Sequence, residues 1–126
     1  MTGRTWVVDA NNVFGSRPDG WWNDREAAQR RFTQRVAEWC RGHDDAVIIV
    51  FDAPLGPDVA ELGGGNLRVI EAPRRGRNAA DDHVVELAAE SKQPVTVVSS
   101  DRGLRARLEP GVDVWGVNRF RDLIRY

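Results

Sequence analysis

The sequence predicts an α/β fold, a three-layer α/β/α sandwich around a mainly parallel five-stranded sheet of order 3-2-1-4-5. Short apolar, β-branched runs alternate with segments of helical spacing along the whole chain, the pattern of a sheet covered by helices on both faces. Aspartates recur where the strands run out, at Asp9, Asp52 and Asp101. The length, 126 residues with 41% hydrophobic and 29% charged, suits a single domain spanning 1–126 with a substantial core.

Thr5 to Ala10 is an apolar run followed by a loop rich in Asn, Gly, Pro and Asp, which reads as a buried parallel first strand. Asn23, three residues before Glu26, has capping-box spacing. Ala28, Phe32, Val36, Trp39 and Cys40 then recur at helical intervals as far as Gly42. Ala46 to Phe51 is almost wholly β-branched and gives strand two, stopped by Ala53-Pro54-Leu55-Gly56-Pro57. A short helix is expected from Asp58 to Leu62, then a third, more polar strand around Leu67 and Val69, near a sheet edge. Asn78 caps a helix to about Ser91, and strand four runs from Val95 to Ser99. Asp101 to Leu108 forms a short helix, Val112, Val114 and Trp115 form strand five, and Asn118 to Ile124 form a closing helix.

Composition excludes several classes. No apolar run reaches membrane-spanning length and no charged-then-apolar leader precedes the first strand, so a cytoplasmic protein without membrane contact is expected. Cys40 is the only cysteine, which excludes an internal disulfide and a thiolate zinc site and suits a small buried hydrophobe. A net charge of −1 argues against a protein that coats nucleic acid unselectively. The cations are nonetheless arginines, Lys92 being the only lysine. Arg74, Arg75 and Arg77 cluster in one loop, where guanidinium forks suit phosphate oxygens.

In a parallel sheet the carboxyl ends of the strands share one edge, so acids far apart in sequence meet in one crevice. Order 3-2-1-4-5 puts strands one and four on either side of the topological switch point. Asp9 and Asp101 follow those strands, and Asp81-Asp82 open the helix that feeds strand four. Each acid also has a plain structural role available. Asp81 gains about 0.3–1 kcal/mol from the helix dipole in a first turn, and Asp101 can serve as an N-cap. Asp9, ending a buried strand with Asn11 and Asn12 after it and no basic partner, is costly unless compensated. Several carboxylates close together require a cation, and hard oxygen ligands suit Mg²⁺ or Mn²⁺. This pattern points to metal-assisted phosphodiester chemistry.

Four motifs in order carry a resemblance: Asp9-Ala10-Asn11-Asn12, Val50-Phe51-Asp52, Ala80-Asp81-Asp82 and Ser99-Ser100-Asp101. Together the chain resembles the YacP-like NYN domains of the PIN-like nuclease superfamily over nearly its whole length, with Ala10 in place of the usual glycine and Asn11 in place of the usual tyrosine. The resemblance implies a PIN-like sandwich and a ribonuclease, of endonuclease type, hydrolysing single-stranded RNA to leave a 5′-phosphate. It implies Asp9, Asp81 or Asp82, and Asp101 as catalytic acids, with the ion held by Asp9, Asp82 and Asp101. Asn12 would orient the first carboxylate or touch substrate. Asp52 would accept a hydrogen bond that fixes Asn12 or an ion-bound water, and Ser100 would cap or bond such a water. Trp21 and Trp22 can stack on bases, although one of them can equally plug the helix start. His83 reads as a solvated helix histidine. Two rival readings are an RNA-binding NYN module with little cleavage and, from another class, a receiver-like signalling domain. The receiver needs a lysine after its last strand, whereas Lys92 precedes strand four.

Overall fold

The computed structural model describes residues 3–73 and 79–126. Five strands, β1 (Thr5–Asp9), β2 (Ala46–Phe51), β3 (Leu67–Glu71), β4 (Val95–Val98) and β5 (Asp113–Trp115), form a sheet of order β3-β2-β1-β4-β5. Every neighbouring pair is parallel. The predicted class and strand order are therefore those observed. Five helices accompany the sheet: α1 (Ala10–Phe14), α2 (Arg25–Cys40), α3 (Ala79–Glu90), α4 (Arg102–Ala106) and α5 (Val117–Ile124). A receiver domain uses order 2-1-3-4-5, so the observed order removes that reading.

Strand alternation decides which layer each side chain joins. Trp6 and Val8 of β1, with Val47, Ile49 and Phe51 of β2, pack under α1, α2 and α5. Val7, Ile48, Val50 and Val97 face the other way, onto Val84 and Ala88 of α3 and Leu104 of α4. Trp6 anchors the first layer, edge-on to Trp39 at 5.1 Å and to Trp115 at 5.0 Å. Cys40 is buried there as a free thiol, and burial pushes it up to about 11, which makes it unreactive at neutral pH.

Four local expectations change. The loop foreseen directly after β1 opens with helix α1, so β1 ends at Asp9 and Ala10 is already helical. The cap of α2 is Asp24, whose carboxylate accepts from the Ala27 N–H at 3.0 Å, rather than Asn23. Between β2 and β3 the helical segment shrinks to a 3-10 turn, Ala60–Leu62. Ser99 lies past the end of β4, where its backbone N–H donates to the Trp115 carbonyl at 3.0 Å.

The amino end of the sheet is tied by one amide. Asn66 Nδ2 donates to the carbonyls of Cys40 (3.1 Å), His43 (3.0 Å) and Asp45 (2.8 Å), joining the end of α2 to the starts of β2 and β3. Asn66→Ala leaves those carbonyls without this donor, and the expected loss is about 1–3 kcal/mol of unfolding free energy, measured by urea denaturation. A loss under about 0.5 kcal/mol would show that water replaces the amide freely.

Candidate active site

β1 and β4 lie side by side at the switch point, in register from Thr5 against Val95 to Val8 against Val98. Both strands then end, and the chain turns from β1 into α1 and from β4 towards α4. This turning point places Asp9 at the carboxyl end of the central strand, only 6% exposed. Asp9 Oδ2 accepts from the Ser99 hydroxyl at 3.0 Å, and the Ser99 oxygen accepts in turn from the Asp101 N–H at 3.1 Å. One fully buried hydroxyl thus links the two acids that the strands carry.

The asparagines after Asp9 hold the neighbouring strand ends in place. Asn12 Oδ1 accepts from the Ser100 N–H at 2.8 Å, on the β4 side. Asn11 Oδ1 accepts from the Asp52 N–H at 2.9 Å, on the β2 side. These partners differ from the sequence-based assignments. The Asn12 side chain grips the backbone after β4 rather than Asp9, and Asp52 is held through its N–H by Asn11, with no hydrogen bond to Asn12 among the described residues. The Ser100 hydroxyl accepts from the Val117 N–H at 3.0 Å, supporting the start of α5. Gly15 closes α1 where a Cβ would lie 2.6 Å from the Asn11 carbonyl oxygen, too close for any other residue without a shift.

Asp101 is the N-cap of α4, its Oδ1 accepting from the Leu104 N–H at 3.0 Å. Asp81 and Asp82 both stand in the first turn of α3 but meet different neighbours. Asp82 pairs with Arg107 at 2.9 Å. Asp81 is half-buried and feels the charges of Asp101 and Asp52. Of the two, Asp81 is the one coupled to Asp9.

The electrostatics follow from this placement. Burial pushes the Asp9 carboxyl up to about 7, the Ser99 hydrogen bond opposes the shift, and the negative charges of Asp81 and Asp52 reinforce it. Burial also raises Asp81, with Asp101 and Asp52 adding to the rise and Arg107 offsetting part of it. Asp52, at the exposed rim, is raised by partial desolvation and lowered somewhat by Arg25. Among the described residues no cation bears on Asp9. Among the described residues no three His, Cys, Asp or Glu side chains stand close enough together, as placed, to enclose an ion. The donors nonetheless fit Mg²⁺ or Mn²⁺ in chemistry and charge: all are oxygens, and the negative charges of Asp81 and Asp52 raise the proton affinity of Asp9 as those of Asp101 and Asp52 raise that of Asp81.

An open groove of about 460 Å³ runs beside this centre, lined among others by Asn11, Asn12, Trp21, Arg25, Asp52 and Ser100. The two tryptophans divide their roles. Trp21 packs edge-on against Phe14 at 5.8 Å, while Trp22 is 60% exposed and stands edge-on to Trp21 at 5.9 Å. His83 is half-buried, 3.6 Å from Glu86, rather than freely solvated. Arg74, Arg75 and Arg77 lie outside the described residues. Sequence reasoning had no pairing to offer for Ser99 or Arg107. Their only signals were a hydroxyl two residues before Asp101 and an arginine six residues after it, at the end of α4.

The Asp9 shift gives the ion-free protein a pH dependence. Between the ordinary value of 3.8 and about 7 the folded chain retains a proton that the unfolded chain releases, so stability falls as pH rises through that window and levels off above it. The full effect is on the order of 4 kcal/mol. Chelator-treated Asp9→Asn is expected to lose most of this slope and to exceed the native chain in stability above about pH 7, as read by urea unfolding across the range. A flat native profile would contradict the burial of an uncompensated carboxyl.

No family model and no curated protein matches the sequence. Solved structures do match it. Two structures of Rae1 (YacP) from Bacillus subtilis, one of them a point variant, align with TM-scores of 0.73 and 0.75 at 21% and 22% identity. They cover 96% and 99% of this chain and 73% and 76% of Rae1. A variant of T5 5′-exonuclease aligns at TM-score 0.58 and 15% identity, over 93% of this chain and 51% of the exonuclease. A T5 protein co-crystallized with metal ions aligns at 0.55 and 13%, over 92% of this chain and 55% of that one. The chain therefore shares its fold with Rae1 (YacP), the kind of protein that its four acid motifs resemble in sequence.

Proposed function

We propose that the crevice at the carboxyl ends of β1 and β4 is the active site of a Mg²⁺- or Mn²⁺-dependent ribonuclease, of endonuclease type, acting on single-stranded RNA. One observation carries the reading: Asp9 is buried at the end of the central strand among other acids, with no positive partner among the described residues. Such a centre is unstable as a set of free anions and favourable as a cation site. The shared fold with a T5 5′-exonuclease, and with a T5 protein crystallised with metal ions, supports the same direction.

Asp9, Asp81 and Asp101 would hold the ion, with Asp81 preferred over Asp82 because Asp82 is committed to Arg107. Bound there, the ion would supply Lewis-acid stabilisation of the phosphoryl oxygens and make an attacking water more acidic. The water's proton would pass to a carboxylate oxygen of Asp52, which lines the groove at the crevice and is not needed to hold the ion. Its oxygen would bond to phosphorus as the bond to the 3′ oxygen breaks, leaving a 5′-phosphate on one fragment and a 3′-hydroxyl on the other. Asn12 keeps the Ser100 turn in place and so sets the wall beside the scissile group. Trp22 offers an exposed face for a base, a contact worth about 1–3 kcal/mol whatever the base. Arg74, Arg75 and Arg77 would contact the RNA backbone.

A second reading, an RNA-binding module with little turnover, is favoured by the side chains as they stand, since no three of the described acids enclose an ion. Cleavage of an unstructured oligoribonucleotide separates the two. With Mg²⁺ or Mn²⁺ the native chain is expected to cut, EDTA to stop it, and Asp9→Asn or Asp81→Asn to slow it at least about a hundredfold, near 3 kcal/mol of barrier. Asp82→Asn should cost less than Asp81→Asn. Undiminished cutting by Asp9→Asn would reject the site, and binding without turnover in any divalent ion would establish the module.

A further inference from the structure

Away from the acids, on the face of α2, four guanidinium groups gather around an open pocket of about 300 Å³. Arg31 and Arg35 project from one stripe of α2, Arg17 from the segment after α1, and Arg125 from the end of α5. Tyr126 supplies an aromatic wall, with the Arg17 guanidinium 4.6 Å from its ring centre. Two carboxylates share this neighbourhood. Asp19 bridges Arg31 at 3.4 Å and Arg17 at 3.7 Å, and Glu38 pairs with Arg35 at 3.0 Å. Among the described residues no carboxylate lies within ion-pairing distance of Arg125. Counting side chains, four cations face two anions at this pocket, on a chain whose net charge is −1.

Other features suggest that the pocket is built rather than incidental. Arg125 has φ 60° and ψ 44°, a left-handed conformation in which glycine would be free of strain, yet an arginine occupies it and points a cation at the pocket. The Tyr126 hydroxyl is turned in from solvent, and the Arg17 guanidinium is the group that bears on it most directly. The Asp19 bridge and the tyrosine face pre-order Arg17 and Arg31, which lowers the entropy lost when an oxyanion binds. The pocket also adjoins the acid crevice along the chain, because Ser16 lines the groove and Arg17 lines the pocket. Arg121 holds that junction by donating to the Ser16 carbonyl at 3.3 Å.

We propose that Arg17, Arg31, Arg35 and Arg125 form a metal-independent phosphate site that grips the backbone of a single RNA strand where it leaves the acid crevice. This inference rests on the RNA reading given above and adds a second anchor to it, separate from the acids. Guanidinium forks recognise phosphate oxygens without regard to sequence, and each contact releases counterions.

The test is the affinity of a dodecauridylate measured in EDTA over a range of salt, where cleavage cannot occur. The double variant Arg31→Gln with Arg125→Gln is expected to bind about tenfold more weakly and to flatten the slope of log affinity against log salt by about 1.4, two contacts at about 0.7 each. Arg31→Lys with Arg125→Lys keeps the charges and should keep most of the slope, which separates lost contacts from a damaged fold. Unchanged affinity and slope in the glutamine variant would overturn the proposal. So would inorganic phosphate binding that the glutamine variant loses while RNA affinity stays the same, since the pocket would then serve a small free anion. Because no divalent ion is present, failure of the hydrolytic reading in the Asp9→Asn assay leaves this result standing, and failure here leaves that assay untouched.

Discussion

A carboxylate buried at the end of the central strand is the constraint around which this molecule is arranged. Burying an acid beside other acids costs free energy that an apolar residue would not, and among the described residues the Ser99 hydroxyl and, more weakly, the Asn12 backbone N–H offset it directly. Among the described residues no guanidinium stands beside Asp9 to make it an ordinary buried ion pair. Among the described residues arginine stays at the margin of this centre: Arg107 pairs with Asp82 and offsets part of the rise at Asp81, and Arg25 acts on Asp52 at the rim.

The sheet makes that arrangement affordable. β1 is flanked on both sides, and the alternating faces of β1 and β2 fill two separate apolar layers, so the backbone carrying Asp9 has little freedom to move its carboxylate out to water. Short polar side chains then complete the framework at the strand ends. Asn11, Asn12, Ser99 and Ser100 all hydrogen-bond across the crevice to a neighbouring strand end or helix start, and these contacts position the acids more than the acids position one another.

The strands and their order were legible because each is a short β-branched run bounded by Gly, Pro or Asp, and because the acids made physical sense together in only one arrangement. Helix α1 was not legible. Its five residues are too few for periodicity to register, and two are asparagines, which disfavour a helix interior unless their side chains find partners elsewhere, as Asn11 and Asn12 do. The choice between Asp81 and Asp82 was hidden for a related reason: adjacent helical residues point about 100° apart, and packing alone sets which one faces the sheet. Trp21 and Trp22 were also ambiguous in sequence, and the separation came from Phe14, whose ring captures one and leaves the other in solvent. The arginine pocket draws on positions more than a hundred residues apart and had no local signature at all.

Asn11 and Asn12 leave the same helical turn in opposite directions, one towards the end of β2 and the other towards the end of β4. Helix α1 therefore works as a seesaw with its fulcrum on β1: tipping it towards Asp52 draws it off Ser100, and the reverse. The two flanks of the cleft cannot breathe independently, and whatever pries one side open is felt at the fulcrum, where Asp9 sits.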